Sequence, residues 1–172
     1  MKPFLEKISV GGESSLVCKR FLRPSFGFAW HFHQEYELTA ILKSSGNRFV
    51  GDNIMPFQEG DLVLLGPNLP HTWFSEPTGQ PGKKDASESI VFQFIENFIG
   101  EQIWEKPEFK KIKELLKRAQ RGLVFSPKVY QKYITSMEQI CELTSLNRLV
   151  LFLEILNDLS DEKEYQYLAS VS

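Results

Sequence analysis

The chain has 172 residues, 42% of them hydrophobic, with 20 basic against 22 acidic side chains and a formal net charge of −2. That is enough apolar material for one domain with a real core, or one domain with a helical appendage, and too little length for a second large domain. The near balance of charge excludes an independent nucleic-acid-binding face, which shows as a basic excess. No segment has the apolar run of a signal peptide or of a membrane span.

From Ser15 to about Ile95 the chain reads as short β-type runs separated by turn chemistry. Leu16–Cys18, Phe26–Trp30, Leu38–Leu42, Arg48–Val50, Asp61–Leu65, His71–Phe74 and Ile90–Ile95 are rich in aromatic and branched residues. Gly11-Gly12, Ser44–Asn47, Gly51–Asn53, Gln58–Asp61 and Gly66–Asn68 punctuate them. Many short strands at close spacing predict a sandwich or barrel. The polar stretch Ser75–Ser89 reads as a mobile loop, a hairpin insertion without chemistry of its own.

After Ile95 the period changes. Phe109, Ile112, Leu115, Leu116 and Ala119 recur at helical spacing behind Pro107-Glu108, and Gly122 closes the run as a C-cap. Ser126-Pro127 reads as N-cap and first-turn proline of a second helix carrying Tyr130, Tyr133, Ile134, Met137, Ile140 and Cys141. A third helix, Ser145 to Leu159, is apolar on more than one face and needs burial from both sides. Lys110, Lys111, Lys113, Lys117, Arg118 and Arg121, interrupted by Glu108 and Glu114, read as a solvated helix face. Cys18 and Cys141 have no C-x-x-C spacing and read as reduced, packed thiols of a cytoplasmic protein.

Chemistry concentrates in the three histidines of the chain. His31 and His33 precede Glu37, and His71 ends a Gly60–His71 segment. Neutral imidazole suits borderline divalent metals, and a carboxylate is the usual addition for zinc, nickel, manganese or iron, so His31, His33, Glu37 and His71 form a candidate metal set. Residues 31, 33 and 37 share parity on an extended strand, and a bend at Gln34-Glu35 also permits them to converge. Without metal, the same histidines are packing residues satisfied by backbone or carboxylate. Thr39 shares parity with Glu37 and Trp73 with His71, so both are candidates to line a pocket. Arg48 is a further candidate, for a ligand carboxylate or hydroxyl.

The run His31–Leu38 followed by Gly46, and Gly60–Leu64 through Pro70-His71, resemble the two cupin motifs in the N-terminal sensor domain of AraC-type regulators. Ile90–Phe94, Pro107–Phe109 and Ala119–Phe125 resemble the stretch leading to that family's helical dimerisation region, and Glu164–Ser170 its linker to the DNA-binding part. The spacing from Glu37 to Gly46 is longer than the strict metal-cupin pattern, and Gly66–His71 scrambles its second motif. The resemblance implies a mainly β chain: a cupin-type double-stranded β-helix (jelly-roll) barrel over 1–95, followed by C-terminal α-helices over 96–172. It implies a small effector, a sugar or other metabolite, in a pocket marked by His31, His33, Glu37, Thr39, Arg48, His71 and Trp73. It also implies a homodimer through the helices, no required cofactor, and DNA contact only through a helix-turn-helix part that these 172 residues do not include. The alternatives are a metal-dependent cupin dioxygenase or isomerase, in which the metal polarises substrate, and a free-standing sugar-binding cupin.

Overall fold

The computed structural model of the chain describes residues 2–8, 15–76 and 86–170. Strands β1 (Phe4–Leu5), β2 (Val17–Arg23), β3 (His31–Phe32), β4 (Tyr36–Lys43), β5 (Gly46–Val50), β6 (Asn53–Phe57), β7 (Leu62–Leu65), β8 (His71–Ser75) and β9 (Ser87–Phe94) form the first half. Helices α1 (Lys110–Ala119), α2 (Pro127–Glu142) and α3 (Ser145–Asp161) follow, with β10 (Leu123–Phe125) after α1 and β11 (Tyr165–Tyr167) after α3. The strands make two sheets, ordered β1-β3-β8-β5-β6 and β11-β10-β7-β4-β9-β2. This is the mainly β, jelly-roll architecture with C-terminal helices that the resemblance implies, and it fits the sandwich or barrel that the strand pattern predicts.

The period of two in β4 and β9 organises the molecule. Leu38 pairs with Phe92 and Ala40 with Ile90, and these residues join the helices in the main hydrophobic core. Phe152 of α3 meets Phe92 and Phe94 with ring centroids 5.4 and 5.1 Å away. The alternate residues Glu37, Thr39 and Ile41, beside Ser89, Val91 and Gln93, turn into the barrel. The stripe Ile112, Leu115, Leu116 and Ala119 buries one side of α1. Ser126 Oγ caps α2 by accepting the Val129 amide at 3.4 Å. Gly122 adopts φ +66° at the end of α1 and returns its N–H to the Ala119 carbonyl at 2.8 Å.

The second half is less purely helical than its sequence suggests. β10 pairs with β7, Leu123 opposite Leu64, and β11 pairs with β10, Tyr165 opposite Phe125. The Glu164–Ser170 stretch, expected as a linker, is thus partly a strand, and Leu168 and Ala169 are buried behind it. Its docking consumes part of the basic cluster: the Arg118 guanidinium donates to Tyr165 Oη at 3.0 Å and Arg121 to the Ala169 carbonyl at 3.1 Å. Gly66 permits α1 to close over the barrel, because a Cβ there would lie 2.7 Å from Gln120 Cα.

Other sequence expectations also change. Phe26–Trp30 is not a strand: beside one backbone bond from the Ser75 N–H to the Phe26 carbonyl at 3.0 Å, hydroxyls of β8 take the amides, Ser75 Oγ accepting the Phe26 N–H at 2.9 Å and Thr72 Oγ1 the Ala29 N–H at 3.2 Å. β6, with Pro56 on a sheet edge, was not foreseen. Most of the polar loop, residues 77–85, lies outside the described residues; its flanks, β8 and β9, belong to different sheets and form no hairpin. Cys18 and Cys141 are not separate thiols. They form a disulfide between β2 and α2, with Cα atoms 5.9 Å apart across a sequence separation of 123.

Candidate ligand-binding site

The three histidines meet at one end of the barrel. β3 ends at Phe32, the chain bends, and β4 begins at Tyr36. The bend, not a continuous strand, therefore brings His33 and Glu37 together. His31 lies opposite His71 in the β3–β8 register. The Asn68 N–H donates to the His33 carbonyl at 2.7 Å, tying the turn before His71 to the first histidine segment. Each imidazole has Nδ1 on a backbone carbonyl: His31 on Ala29 at 2.6 Å, His33 on Glu35 at 3.1 Å and His71 on Leu69 at 2.8 Å. Assigned as N–H donors, these Nδ1 atoms direct all three Nε2 atoms toward the common space.

Glu37, on the floor of that space, is buried with little solvent to stabilise its charge. It accepts hydrogen bonds from His33 Nε2 at 3.1 Å, Thr39 Oγ1 at 2.8 Å and Gln93 Nε2 at 2.9 Å. Burial alone would raise its pKa, but the facing His71 and the His33 hydrogen bond outweigh it and hold the carboxyl well below its ordinary value. Burial would lower His33, yet the hydrogen bond and charge of Glu37 raise its pKa above the ordinary value. His31 is lowered by burial and then by His71; its Nε2 lies 3.1 Å from Glu6 Oε2. Glu35 Oε2 stands 3.5 Å from His33 Nδ1, on the side away from Glu37.

Two buried side-chain atoms of the site lack a hydrogen-bond partner, Gln93 Oε1 and His71 Nε2. His71 Nε2 makes no hydrogen bond, and the nearest acceptor, Glu37 Oε1, is 3.7 Å away. With Nδ1 carrying the ring's one proton, Nε2 and the carboxylate are two acceptors facing one another, an arrangement relieved by a second proton on Nε2 or by a cation. One nitrogen from each histidine lies within 4.8 Å of the others. The donor set therefore fits a divalent ion: three imidazoles, each oriented by a carbonyl on its other nitrogen, with Glu37 alongside.

Beyond this polar end the barrel opens into a cavity of about 450 Å³. His31, Glu37, Thr39 and Trp73 line it, and His33 and His71 stand behind. Sequence reasoning missed the remaining walls. Ile41, Ser89, Val91 and Gln93 follow from continuing the parity of β4 and β9, whereas Lys19, Phe21 and Arg23 lie on a strand too charged to read as one. Arg48 does not line the cavity. It is buried, its Nη1 bonds both carboxylate oxygens of Asp61, and Trp73 Nε1 donates to Asp61 Oδ2 at 3.3 Å. Its charge is thus committed inside the protein and holds a cavity wall indirectly.

No family model matches the sequence, and no curated protein matches it. Solved structures do. Apo ToxT from Vibrio cholerae superimposes with a TM-score of 0.52 at 10% identity, over 86% of this chain and 55% of that one. ToxT with an unsaturated fatty acid bound gives 0.50 at 14% identity, over 88% and 53%. The chain thus shares the fold of the matched part of ToxT. The AraC-like transcriptional activator CuxR superimposes with a TM-score of 0.48 at 8% identity, over 92% of this chain and 56% of that one. This chain spans about half the length of each of these proteins.

The buried Arg48–Asp61 pair gives a direct test. Asp61→Asn leaves the guanidinium buried without its counter-charge and is expected to cost about 3–5 kcal/mol in a urea titration, whereas Arg48→Met with Asp61→Leu restores most of the loss. A loss below about 1 kcal/mol in the single variant would show that the pair does not hold this part of the barrel.

Proposed function

We propose that the chain is the small-molecule-sensing and dimerisation part of an AraC-type transcription regulator, with its effector bound inside the barrel and no catalysis of its own. The observation that carries this reading is the cavity of about 450 Å³, whose apolar and aromatic walls are joined by a few polar and charged side chains, the histidine–glutamate cluster at one end and Lys19 and Arg23 on β2. ToxT, which has this fold, binds an unsaturated fatty acid, and that supports an effector that is a small molecule. The non-enzymatic part is supported by Glu37, whose carboxylate is buried and already engaged by His33, Thr39 and Gln93. In this reading DNA is contacted by a helix-turn-helix part outside these residues. Among the described residues no helix is long and apolar enough to cross a membrane.

Occupation of the cavity is testable with the neutral fluorophore N-phenyl-1-naphthylamine. The parent protein should bind it saturably, and Val91→Trp, which fills the cavity from β9, should weaken binding at least about tenfold while the thermal transition is retained. Equal binding by the two proteins would sink the reading. Dimerisation is supported by α3, where Leu146 is 68% and Val150 44% exposed on one side. Sedimentation velocity is expected to show a dimer that Leu146→Glu with Val150→Glu dissociates; a monomeric parent would remove the dimer.

A second reading, of a metal-holding barrel, is favoured by the unpartnered Nε2 of His71. His31, His33 and His71 would hold the ion, with Glu37 beside them, and a bound divalent metal supplies a Lewis acid that polarises a ligand oxygen. Protein purified without chelator is then expected to carry close to one equivalent of zinc, nickel, manganese or iron by elemental analysis. His71→Ala should cut metal affinity by about tenfold or more. A metal-free parent that takes up none of these ions on dialysis would exclude it.

A further inference from the structure

The inner face of β2 carries charge that the rest of the cavity does not answer. In the β2–β9 register Lys19 lies opposite Val91, Phe21 opposite Ser89 and Arg23 opposite Ser87. Lys19, Phe21 and Arg23 line the cavity, while Cys18 and Arg20 alternate to the other face, against α2. The two faces treat their cations differently. Outside, Arg20 is paired twice, with Glu88 at 2.6 Å and with Glu138 at 3.4 Å. Inside, neither Lys19 nor Arg23 has a carboxylate within ion-pair distance among the described residues; the Arg23 guanidinium lies over the Phe21 ring, 5.3 Å from its centroid.

The acids that line the cavity do not compensate. Glu6 and Glu37 are both there, but Glu6 is engaged by His31 and Glu37 by His33, Thr39 and Gln93. Their registers also separate them from the cations. Glu37 and Gln93 form one row across the sheet, Thr39 and Val91 the next with Lys19, and Ile41 and Ser89 the next with Phe21. Same-face neighbours on a strand are roughly 7 Å apart, so Lys19 and Arg23 sit about 13 Å apart on either side of an apolar row.

We propose that the effector is an organic acid, its carboxylate held by Lys19 and Arg23 and its apolar body laid against Phe21, Ile41, Val91 and Trp73. This rests on the cavity being the effector site. Both cations line the cavity while remaining exposed to solvent; a neutral sugar gains nothing from their charge, whereas a carboxylate forms charge-assisted hydrogen bonds with them. The competing explanation is that β2 ends its sheet and turns charges inward to block pairing with another chain. That role is indifferent to the sign of the charge and gives no ligand selectivity.

Displacement of N-phenyl-1-naphthylamine separates these explanations, with 4-phenylbutyrate, its neutral isostere 4-phenylbutanamide and D-galactose as competitors. The acid is expected to displace the dye at about tenfold lower concentration than the amide, and galactose not at all. The gap should shrink in about 0.5 M NaCl, vanish in Lys19→Met with Arg23→Met, persist in Lys19→Arg, and reverse in Lys19→Glu with Arg23→Glu. Edge protection alone predicts that the two glutamates are tolerated and that acid and amide compete equally throughout. Equal competition in the parent, displacement by galactose as good as by the acid, or a gap that survives the double methionine variant overturns the assignment and leaves the cavity reading intact. Failure of the parent to bind the dye defeats both.

Discussion

Everything in this molecule depends on the alternation of β4 and β9. Each strand is buried on both sides, and its alternate residues serve opposite ends: Leu38, Ala40, Ile90, Phe92 and Phe94 belong to the core shared with the helices, and Glu37, Thr39, Ile41, Ser89, Val91 and Gln93 to the cavity. A slip of one residue would exchange the two sets and drive Glu37 into the aromatic cluster around Phe152. Two charged or amide groups against apolar packing would cost far more than a single strand pair contributes, so the register is fixed by composition as well as by hydrogen bonds. Its regularity ends with a shift between Ile41 and Lys43, where β4 leaves the sheet.

The polar end is the price of using a buried carboxylate inside a β barrel. Glu37 takes its hydrogen bonds from three side chains on two strands and the preceding bend. The three imidazoles are in turn held by carbonyls of Ala29, Glu35 and Leu69, which lie in irregular backbone that no ladder uses. Irregular segments thus supply the acceptors that orient the rings, and regular strands supply the group they face. The same division explains why His71 Nε2 is left over: its ring is fixed from behind by Leu69, and the oxygen in front of it is already an acceptor for Thr39.

Much of this was legible in the sequence, and what was not has physical causes. The histidine set, the parity of Thr39 with Glu37, and the caps at Ser126 and Gly122 rest on local rules, and local rules can be read from one chain. β10 and β11 are three residues each and become strands only because β7 offers an edge to pair with. The partner of Arg48 is Asp61, which the sequence presents as a turn residue beside Gly60, and nothing local announces a buried ion pair. Cys18 and Cys141 are likewise brought together by α2 crossing β2, a contact between distant segments. Strand β2 was truncated to its first residues because Lys19, Arg20 and Arg23 contradict a hydrophobic alternation. That these residues belong to a strand at the end of a sheet, paired with β9, shows only in the sheet order.

The cavity also has a mechanical neighbour. A second, smaller apolar cluster gathers Val50, Val63, Leu65 and Leu69 with Leu168 and Ala169 of the C-terminal segment, and Trp73 packs against it. Trp73 is at once a wall of the cavity and a side of this cluster, held from a third direction by Asp61. Close-packed interiors pass on displacement because they contain little free volume to absorb it. Trp73 therefore stands between the cavity and the residues that seat Leu168 and Ala169, whose amides are bonded to the Gly122 and Arg121 carbonyls. Leu69 belongs to the same cluster and its carbonyl orients His71, so the polar end and the aromatic wall reach the C-terminal segment through one set of side chains.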